Sequence, residues 1–395
     1  MKKLFVVGLL ILSFSMFLSC GTQKREDITI WAWNRNVFIM EAAIERYRQE
    51  VDSTFTATVE PFSQNDIDVK FKAASQLGKA DSLADIILGD AMRMRGYYYL
   101  WPTLFYDFSQ RVEAADNLNL FVPSTIDVVT IGDKLIAMPY GIAPTYVFAY
   151  TPLWDPEDIS TILAEGWTWG DYLDFGLKIQ SENPNLDVYM TAYNMRLDDR
   201  LYRTMTSQRG EWFMDADHEV EVANANSVQA LTWVQSFFDA GIVGHVDSGD
   251  FRSLMIEGRI AAQIQGFFLT GQLKDIGQDT AGDWLLLPLP SWDIEESSAS
   301  ITGGSYLYVN NYSSNANRAA DFAIWYTTHV EAVVEGLHIG GIFPANMGAY
   351  TTEYFATNDP FFSNQAYLSD VAQNVHQALA IFPSRYNAFN YDAFI

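Results

Sequence analysis

Two tryptophans and an asparagine stand at the end of the first apolar run of the body, residues 28–33. Trp31, Trp33 and Asn34 combine flat aromatic rings with an amide that both donates and accepts hydrogen bonds. This combination suits a ligand with hydroxyl groups around its rim and C–H groups on its faces, as in a sugar. A tryptophan within a strand also packs in protein cores, so a structural role is the alternative for these residues.

Polar residues also follow the next two strand-like runs. Asn65 and Asp66 come after the run 55–61, and Asp90 comes directly after the run 84–89. Short carboxylates and amides at strand ends can hold the hydroxyl groups of a ligand. The same side chains are frequent N-caps of helices, so both roles stay open for each of them.

The residues that could take part in catalysis do not form a recognisable catalytic motif in the sequence. The five histidines are scattered without a pair at metal-ligand spacing, and neither a Gly-x-Ser-x-Gly elbow nor a phosphate-binding loop is present. The 49 carboxylates leave a chance pair of the glycosidase type open. We predict a binding protein without a cofactor or a metal, rather than an enzyme.

The composition favours a folded chain of two lobes. With 395 residues, 49% of them apolar and 18% charged, the chain can bury more than one core and is not of the disordered type. Its 24 basic residues against 49 acidic ones give a net charge of −25. Nucleic acids and anionic lipid surfaces both attract basic surfaces, so this charge argues against both as partners.

The first twenty residues predict export. Two lysines precede an apolar run over 4–18, which is shorter than a membrane span and ends just before Cys20, the one cysteine of the chain. This arrangement resembles a bacterial lipobox. It predicts a signal peptide over 1–19, and a lipidated Cys20 with a polar tether over 20–27. The mature chain would then lie in the periplasm or at the cell surface, with cleavage and secretion, or a core thiol, as alternatives.

The body alternates strand patterns with helix patterns. Three apolar, β-rich runs in its first part are separated by segments whose apolar residues recur at helical spacing. This order is typical of a parallel sheet with helices on its faces, so the predicted fold class is α/β. Thr168, followed three residues later by Asp171, predicts a helix that begins at Trp169.

Nine short segments spread over nearly the whole body carry a family resemblance. They are 28–33 (ITIWAW), 84–88 (ADIIL), 138–141 (MPYG), 166–173 (GWTWGDYL), 238–243 (FDAGIV), 257–268 (EGRIAAQIQGFF), 288–290 (PLP), 302–306 (TGGSY) and 320–323 (ADFA). In this order they resemble the extracellular solute-binding proteins of ABC importers, above all family 1, the maltose-binding-protein type.

The resemblance implies the type II fold of periplasmic binding proteins. That fold has two α/β lobes, each a mostly parallel sheet flanked by helices, with a hinge between them. The expected segments are 27–139 and 268–303 for lobe 1, 144–263 and 308–395 for lobe 2, and 140–143, 264–267 and 304–307 for the hinge. Ligands of open α/β sheets bind in the crevice beyond the strand ends.

The resemblance also adds residues to the expected ligand site. They are Tyr140 at the first crossover, Phe267 or Phe268 where the family often carries a ring that stacks on sugar, Gly303 and Gly304 with accessible backbone N–H groups, Tyr306 and Phe343. For the two glycines, a plain hinge is the alternative.

The function implied by the resemblance is capture of a solute for import. The chain would be a monomeric, extracytoplasmic lipoprotein that binds a sugar or oligosaccharide between its lobes and delivers it to the permease subunits and ATPase of an ABC transporter. It would touch the membrane only through the lipid on Cys20. A polyamine or another non-sugar ligand is the main alternative, because so acidic a chain could supply the carboxylates, and a surface glycosidase is the other.

Overall fold

The computed structural model describes residues 27–194, 198–214, 219–220, 222–246, 248–379 and 381. The predicted signal peptide, Cys20 and nearly all of the tether lie outside the described residues. Within the described ranges, no helix combines the length and the apolar character needed to cross a membrane.

The described residues form twelve strands and fourteen α-helices, joined in places by short 3-10 turns. The strands are β1 Ile28–Ala32, β2 Ala57–Pro61, β3 Ile86–Asp90, β4 Thr130–Ile131, β5 Lys134–Leu135, β6 Met138–Tyr150, β7 Thr191–Tyr193, β8 Val243–His245, β9 Ala262–Gly266, β10 Trp284–Leu287, β11 Ile301–Val309 and β12 Phe343–Pro344. The helices are α1 Asn36–Glu50, α2 Gln64–Gln76, α3 Ala91–Leu100, α4 Val112–Ala115, α5 Pro123–Val129, α6 Pro156–Glu165, α7 Trp169–Glu182, α8 Arg200–Ser207, α9 Ala225–Asp239, α10 Ser248–Ile256, α11 Leu269–Ile276, α12 Ala316–Thr328, α13 Val330–Gly340 and α14 Tyr367–Asn374.

An eight-stranded sheet organises these elements. β1 lies between β2 and β3 and pairs in parallel with both, as the strand–helix–strand order of the sequence predicts. β11 follows on the far side of β3 and β6 follows β11, both in antiparallel pairing. The predicted α/β class is confirmed, but the sheet is mixed rather than mostly parallel.

β6 joins the two halves of this sheet. It is thirteen residues long. Its first half pairs with β11 and β12, and its second half, residues 145–150, pairs with β9 and β10. We call the part with β1–β3 and β11 lobe 1, and the part with β9 and β10 lobe 2. Lobe 2 has its own core, in which Trp169, Tyr172 and Phe237 are nearly inaccessible to solvent.

The chain divides between the lobes differently from the expected boundaries. β11 pairs with β3, and the following helix α12 packs in lobe 1, where Phe322 stacks on Phe55 at 5.1 Å between ring centroids. The residues of α12 and α13, and the last two residues of β11, therefore lie in lobe 1, not in lobe 2 as expected for 308–395. Conversely, β10 pairs with the end of β6 and so lies in lobe 2, not in lobe 1. The expectation failed because a strand pattern does not tell which sheet edge the strand joins.

Two capping boxes begin helices where the sequence offers them. The Thr168 hydroxyl accepts from the Asp171 backbone N–H, and the Asp171 carboxylate accepts from the Thr168 N–H at 2.8 Å, so the predicted helix start at Trp169 is confirmed. Ser63 and Asp66 make the same reciprocal pair at the start of α2. Each box satisfies backbone donors that a helix leaves unpaired.

The packing of α12 on lobe 1 can be tested by truncating Phe322. Replacing a buried phenylalanine with alanine leaves a cavity, so Phe322→Ala should lower the free energy of unfolding by about 3–5 kcal/mol, as measured by urea denaturation. Val112→Ala, at a side chain that is 68% exposed, should change it by less than about 0.5 kcal/mol. Equal, small effects of both variants would contradict the assignment of α12 to the lobe 1 core.

Candidate functional site

A cleft of about 480 Å³ lies between the two lobes, beside the middle of β6. Lobe 1 contributes residues that follow β1 and β3 and the start of α2, and lobe 2 contributes the start of α8. The polypeptide around residues 141–143 and 303–305 forms its base. A volume of this size, bounded by strand ends of an α/β sheet, is typical of a small-molecule site.

Six of the residues predicted from the sequence line this cleft together. They are Trp33, Asn34, Asp90, Phe268, Gly303 and Gly304. Gly303 has a backbone φ of +128°, a conformation that side-chain-bearing residues rarely adopt, and a Cβ there would lie 3.7 Å from an Asp90 carboxylate oxygen. A glycine at this position therefore keeps the base of the cleft open.

Four other predicted residues are core residues and do not line the cleft. Trp31, Tyr140, Phe267 and Phe343 are at most 6% exposed. The Trp31 indole donates to Glu60 at 2.9 Å, and the Phe267 ring packs edge-on against Phe343 at 5.0 Å. The structure thus favours the structural alternative for all four, because their polar atoms and ring faces already have protein partners.

The phenol of Tyr140 supports the cleft indirectly. It donates to the Asn36 side chain at 2.8 Å, and Asn36 in turn donates to the Trp33 carbonyl at 3.1 Å. Asn36 lines the cleft while Tyr140 lies behind it. This chain of hydrogen bonds fixes the turn after β1 that carries Trp33 and Asn34.

The predicted polar pair at the start of α2 is used for capping. Asp66 belongs to the capping box with Ser63, and neither Asn65 nor Asp66 lines the cleft. Their neighbour Gln64 lines it instead. The structure thus places a different residue of the predicted loop at the cleft, since position 66 is the third residue of the helix and its carboxylate turns back to Ser63.

Asp90 combines both of the roles that the sequence left open. Its carboxylate accepts from the Met92 backbone N–H at 2.6 Å and so caps α3, while the residue also lines the cleft. Burial raises the pKa of this carboxyl above its usual range, although the Met92 N–H and the nearby Arg93 and Arg203 oppose that shift. Asp90 is therefore held in place by the backbone and surrounded by cationic side chains.

Two arginines from lobe 1 line the cleft and were missed by the sequence reasoning. Arg35 forms an ion pair with Asp275 and donates to the Ile339 carbonyl at 3.1 Å. Arg93, in the first turn of α3, lies 3.6 Å from the Asp68 carboxylate. Both arginines follow a strand end by only a few residues, and this position is the feature of the sequence that could have identified them as cleft residues.

Two further arginines come from lobe 2. Arg200 and Arg203 are one helical turn apart on α8, so both can face the same side. Arg200 pairs with Asp198 at 3.3 Å and donates to Gln265, while Arg203 pairs with Asp199 at 2.9 Å. Nothing in the strand pattern pointed to this short helix, so the sequence reasoning had no route to either residue.

An aromatic ring at the rim of the cleft was also missed. Phe38 lines the cleft and is 59% exposed, an unusual exposure for a phenylalanine. It lies on the first turn of α1, and Phe268 also lines the cleft. The exposed ring of Phe38 and the half-buried ring of Phe268, beside amides such as Asn34 and Gln272, offer both stacking and hydrogen bonding to a ligand.

A side cavity of about 50 Å³ adjoins the cleft. The two share Asp90, Met92, Arg203, Gly303 and Gly304, and the side cavity is lined further by Ser124, Trp212 and the predicted Tyr306. Burial and the nearby Asp90 carboxylate raise the pKa of the Tyr306 phenol, which keeps it protonated. Tyr306 is therefore placed next to the cleft, not in it.

The described residues show no arrangement for a metal ion. Among them, no group of three or more His, Cys, Asp and Glu side chains is placed to hold one.

Residues 42–363 match a family described as bacterial extracellular solute-binding protein. The curated relatives include an arabinooligosaccharide-binding protein of Halalkalibacterium halodurans, which is 20% identical over 347 residues, 85% of this chain and 75% of that protein. They also include a probable ABC transporter-binding protein of Deinococcus radiodurans, 24% identical over 64% of this chain and 60% of that protein.

Solved structures show the same fold. An extracellular solute-binding protein of family 1 superposes with a TM-score of 0.76 at 18% identity, over 93% of each chain. An ABC transporter associated binding protein from B. animalis subsp. lactis, in complex with β-1,6-galactobiose, superposes with a TM-score of 0.73 at 20% identity, over 93% of this chain and 89% of that chain. A maltose-bound T. maritima protein superposes with a TM-score of 0.71 at 15% identity, over 93% of this chain and 92% of that chain.

The capping role of Asp90 can be separated from its charge. Asp90→Ala removes the acceptor for the Met92 N–H and should lower the free energy of unfolding by about 1 kcal/mol in urea denaturation. Asp90→Asn keeps an oxygen acceptor and should lose less, because asparagine is an equally good N-cap. If both variants lost the same stability, the charge of the carboxylate, and not the cap, would be its contribution.

Proposed function

The chain belongs to the bacterial extracellular solute-binding proteins, and we propose that it captures a sugar or an oligosaccharide for an ABC transporter. One observation carries this proposal: the interlobe cleft brings the rings of Trp33, Phe38 and Phe268 together with the amides of Asn34 and Gln272. Flat rings pack against the C–H faces of a sugar, and amides both donate to and accept from its hydroxyl groups.

The relatives support a carbohydrate ligand. The H. halodurans relative is described as binding arabinooligosaccharides, and solved structures of the same fold hold β-1,6-galactobiose or maltose. The cleft volume of about 480 Å³ lies within the usual range for a ligand of this kind. Both observations favour a saccharide over a single small ion.

Capture proceeds, on this proposal, by closure of the lobes. β6 changes its pairing partners between residues 144 and 145, and Gly141 and Gly266 lie on the strands that meet there. The expected hinge segments 140–143, 264–267 and 304–307 all lie around this change of partners. A ligand that contacts both lobes stabilises the closed arrangement only as far as it binds that arrangement more tightly than the open one.

The export and delivery steps complete the proposal. Lipidation of Cys20 would hold the mature chain on the outer side of a membrane, with the polar residues before β1 as a tether. The ligand-bound, monomeric form would then deliver the saccharide to the permease subunits, which an ATPase drives.

The cleft favours this proposal over a polyamine receptor. Four arginines and two aspartates line it, so a polycation would meet a net excess of positive side chains. It also favours binding over glycoside hydrolysis. A hydrolase needs an acid and a second carboxylate placed across the scissile bond, whereas Asp90 caps α3 and Asp275 is paired with Arg35.

Ligand-induced stabilisation tests the proposal directly. The melting temperature of the purified protein should rise with increasing concentration of a saccharide and stay unchanged with spermidine, because a ligand that binds only the folded state stabilises it. The probes are arabino-, galacto- and malto-oligosaccharides together with their acidic counterparts, and the saccharide should be recovered intact. A rise with spermidine alone, or turnover of the saccharide, would refute the proposal.

The ring of Phe38 offers a test within the cleft. Since this side chain is largely exposed, Phe38→Ala should leave the melting temperature of the free protein nearly unchanged. It should weaken the affinity for the saccharide by about tenfold, the loss expected for a stacking ring, in isothermal titration calorimetry. Tyr312→Ala, at a side chain that is 58% exposed and does not line the cleft, is the matched control and should bind normally. Equal affinities for both variants would remove Phe38 from the site.

A further inference from the structure

The charge of the cleft is opposite to that of the chain. The chain has a net charge of −25, yet four of the residues that line the cleft are arginines and only two, Asp90 and Asp275, are acidic. No lysine lines it among the described residues. Arginine is the side chain whose planar, five-donor guanidinium matches the two oxygens of a carboxylate.

The carboxylates that balance three of these arginines lie outside the cleft lining. Asp68 faces Arg93, and two aspartates just before α8 face Arg200 and Arg203. Such ion pairs hold each guanidinium in one orientation while occupying only part of its five donors. The cleft therefore presents oriented donors whose counter-charges are set back from the ligand.

The donors converge where the cleft meets the side cavity. Arg203 lines both cavities, and its guanidinium carbon lies 5.8 Å from the ring centroid of Trp212, which is 5% exposed. In the part of the chain that the structure describes, the Trp212 indole N–H and the Ser124 hydroxyl are buried without a hydrogen-bond partner. An indole N–H can only donate, so it is satisfied only by an acceptor that enters this junction.

The carboxylate of Asp90 does not remove the need of this junction for a hydrogen-bond acceptor from the ligand. It lies near both Arg93 and Arg203 and is engaged by the Met92 backbone N–H. Two guanidinium groups thus flank Asp90 at the junction, and each of them also pairs with a carboxylate that lies behind the cleft lining, Asp68 or Asp199. A hydroxyl of a neutral sugar can accept from the indole N–H, whereas a carboxylate can accept from the indole N–H and from a guanidinium at the same time, in a stronger, charge-assisted hydrogen bond.

We infer that the saccharide bound in this cleft is acidic, and that a carboxylate of a uronic acid unit binds at the junction formed by Arg203, Trp212 and Ser124. This inference rests on the proposed function and adds the chemical class of the ligand to it. The neutral part of the ligand lies against Trp33 and Phe268 in the main cleft.

Calorimetric titration with three matched disaccharides tests the inference. The probes are digalacturonate, its dimethyl ester, which has the same skeleton without charge, and neutral galactobiose. The purified protein should bind digalacturonate at least about tenfold more tightly than either neutral probe, as expected for a charged hydrogen bond. A sulfated galactobiose separates a carboxylate site from a general anion site, and it should bind more weakly than digalacturonate.

Two variants locate the carboxylate. Trp212→Phe removes the N–H donor and keeps a smaller aromatic ring, and Arg203→Gln removes the charge. Both should weaken digalacturonate binding about tenfold or more and weaken galactobiose binding by a clearly smaller factor. Trp292 and Arg209 form a matched pair outside the cleft, in which the guanidinium lies 4.2 Å from the ring centroid. Trp292→Phe and Arg209→Gln should therefore leave both affinities unchanged.

The outcomes distinguish this inference from the proposed function. If the ester or galactobiose binds as tightly as digalacturonate, the inference is overturned and the saccharide receptor stands. If the sulfated probe binds and digalacturonate does not, the carboxylate assignment is overturned. If no saccharide of any charge binds to a protein that melts cooperatively, the proposed function itself fails. A variant that no longer melts cooperatively is replaced by Ser124→Ala, which removes the unpartnered hydroxyl of the junction and should show the same selective loss.

Discussion

One strand, β6, forms backbone hydrogen bonds with strands of both lobes, and the position of the cleft depends on this pairing. Its first half is bonded within lobe 1 and its second half within lobe 2, so both lobes share a continuous backbone. Every backbone group along a buried strand needs a partner, and the partners of β6 change from lobe 1 strands to lobe 2 strands between residues 144 and 145. The cleft lies there, bounded by residues 141–143 and by Gly303 and Gly304. Its position is therefore a consequence of how β6 is paired.

The same constraint explains why the side chains of the cleft are fixed by neighbours that do not touch it. Tyr140 holds Asn36, which holds the carbonyl of Trp33, and the Met92 backbone N–H holds Asp90. A polar group at the edge of a low-dielectric interior is orderly only when its hydrogen bonds are satisfied. Residues behind the cleft thus orient the residues that line it. Because they are buried, their role in the fold is structural, although the sequence analysis expected one of them, Tyr140, in the ligand site.

The family, the fold class and the first strand–helix–strand segment of the body could be predicted from the sequence, because local patterns carry that information. The family resemblance and the α/β class are confirmed, and the helix starting at Trp169 follows from its capping box. The placement of β10 and of the helices after β11 was not predictable, since a local pattern does not report which lobe an element joins. Trp31 and Trp33 differ by only two positions, yet only Trp33 lies past the end of β1 and reaches the cleft. Arg200 and Arg203 enter the site through a tertiary contact that no local pattern reports.

The distribution of arginines over the two lobes links the chemistry of the ligand to the mechanics of the fold. Arg93 belongs to lobe 1, whereas Arg200 and Arg203 belong to lobe 2, and all three line the same cleft. On the proposed closure of the lobes, these guanidinium groups would approach one another and lose water, and the part of their repulsion that the paired aspartates do not compensate would disfavour the empty closed state. A ligand carboxylate between these guanidinium groups would replace their repulsion with attraction. The electrostatic contribution would then favour closure only when the cleft is filled. On the inference of an acidic saccharide, the residues that recognise the ligand are also the residues that keep the empty receptor open.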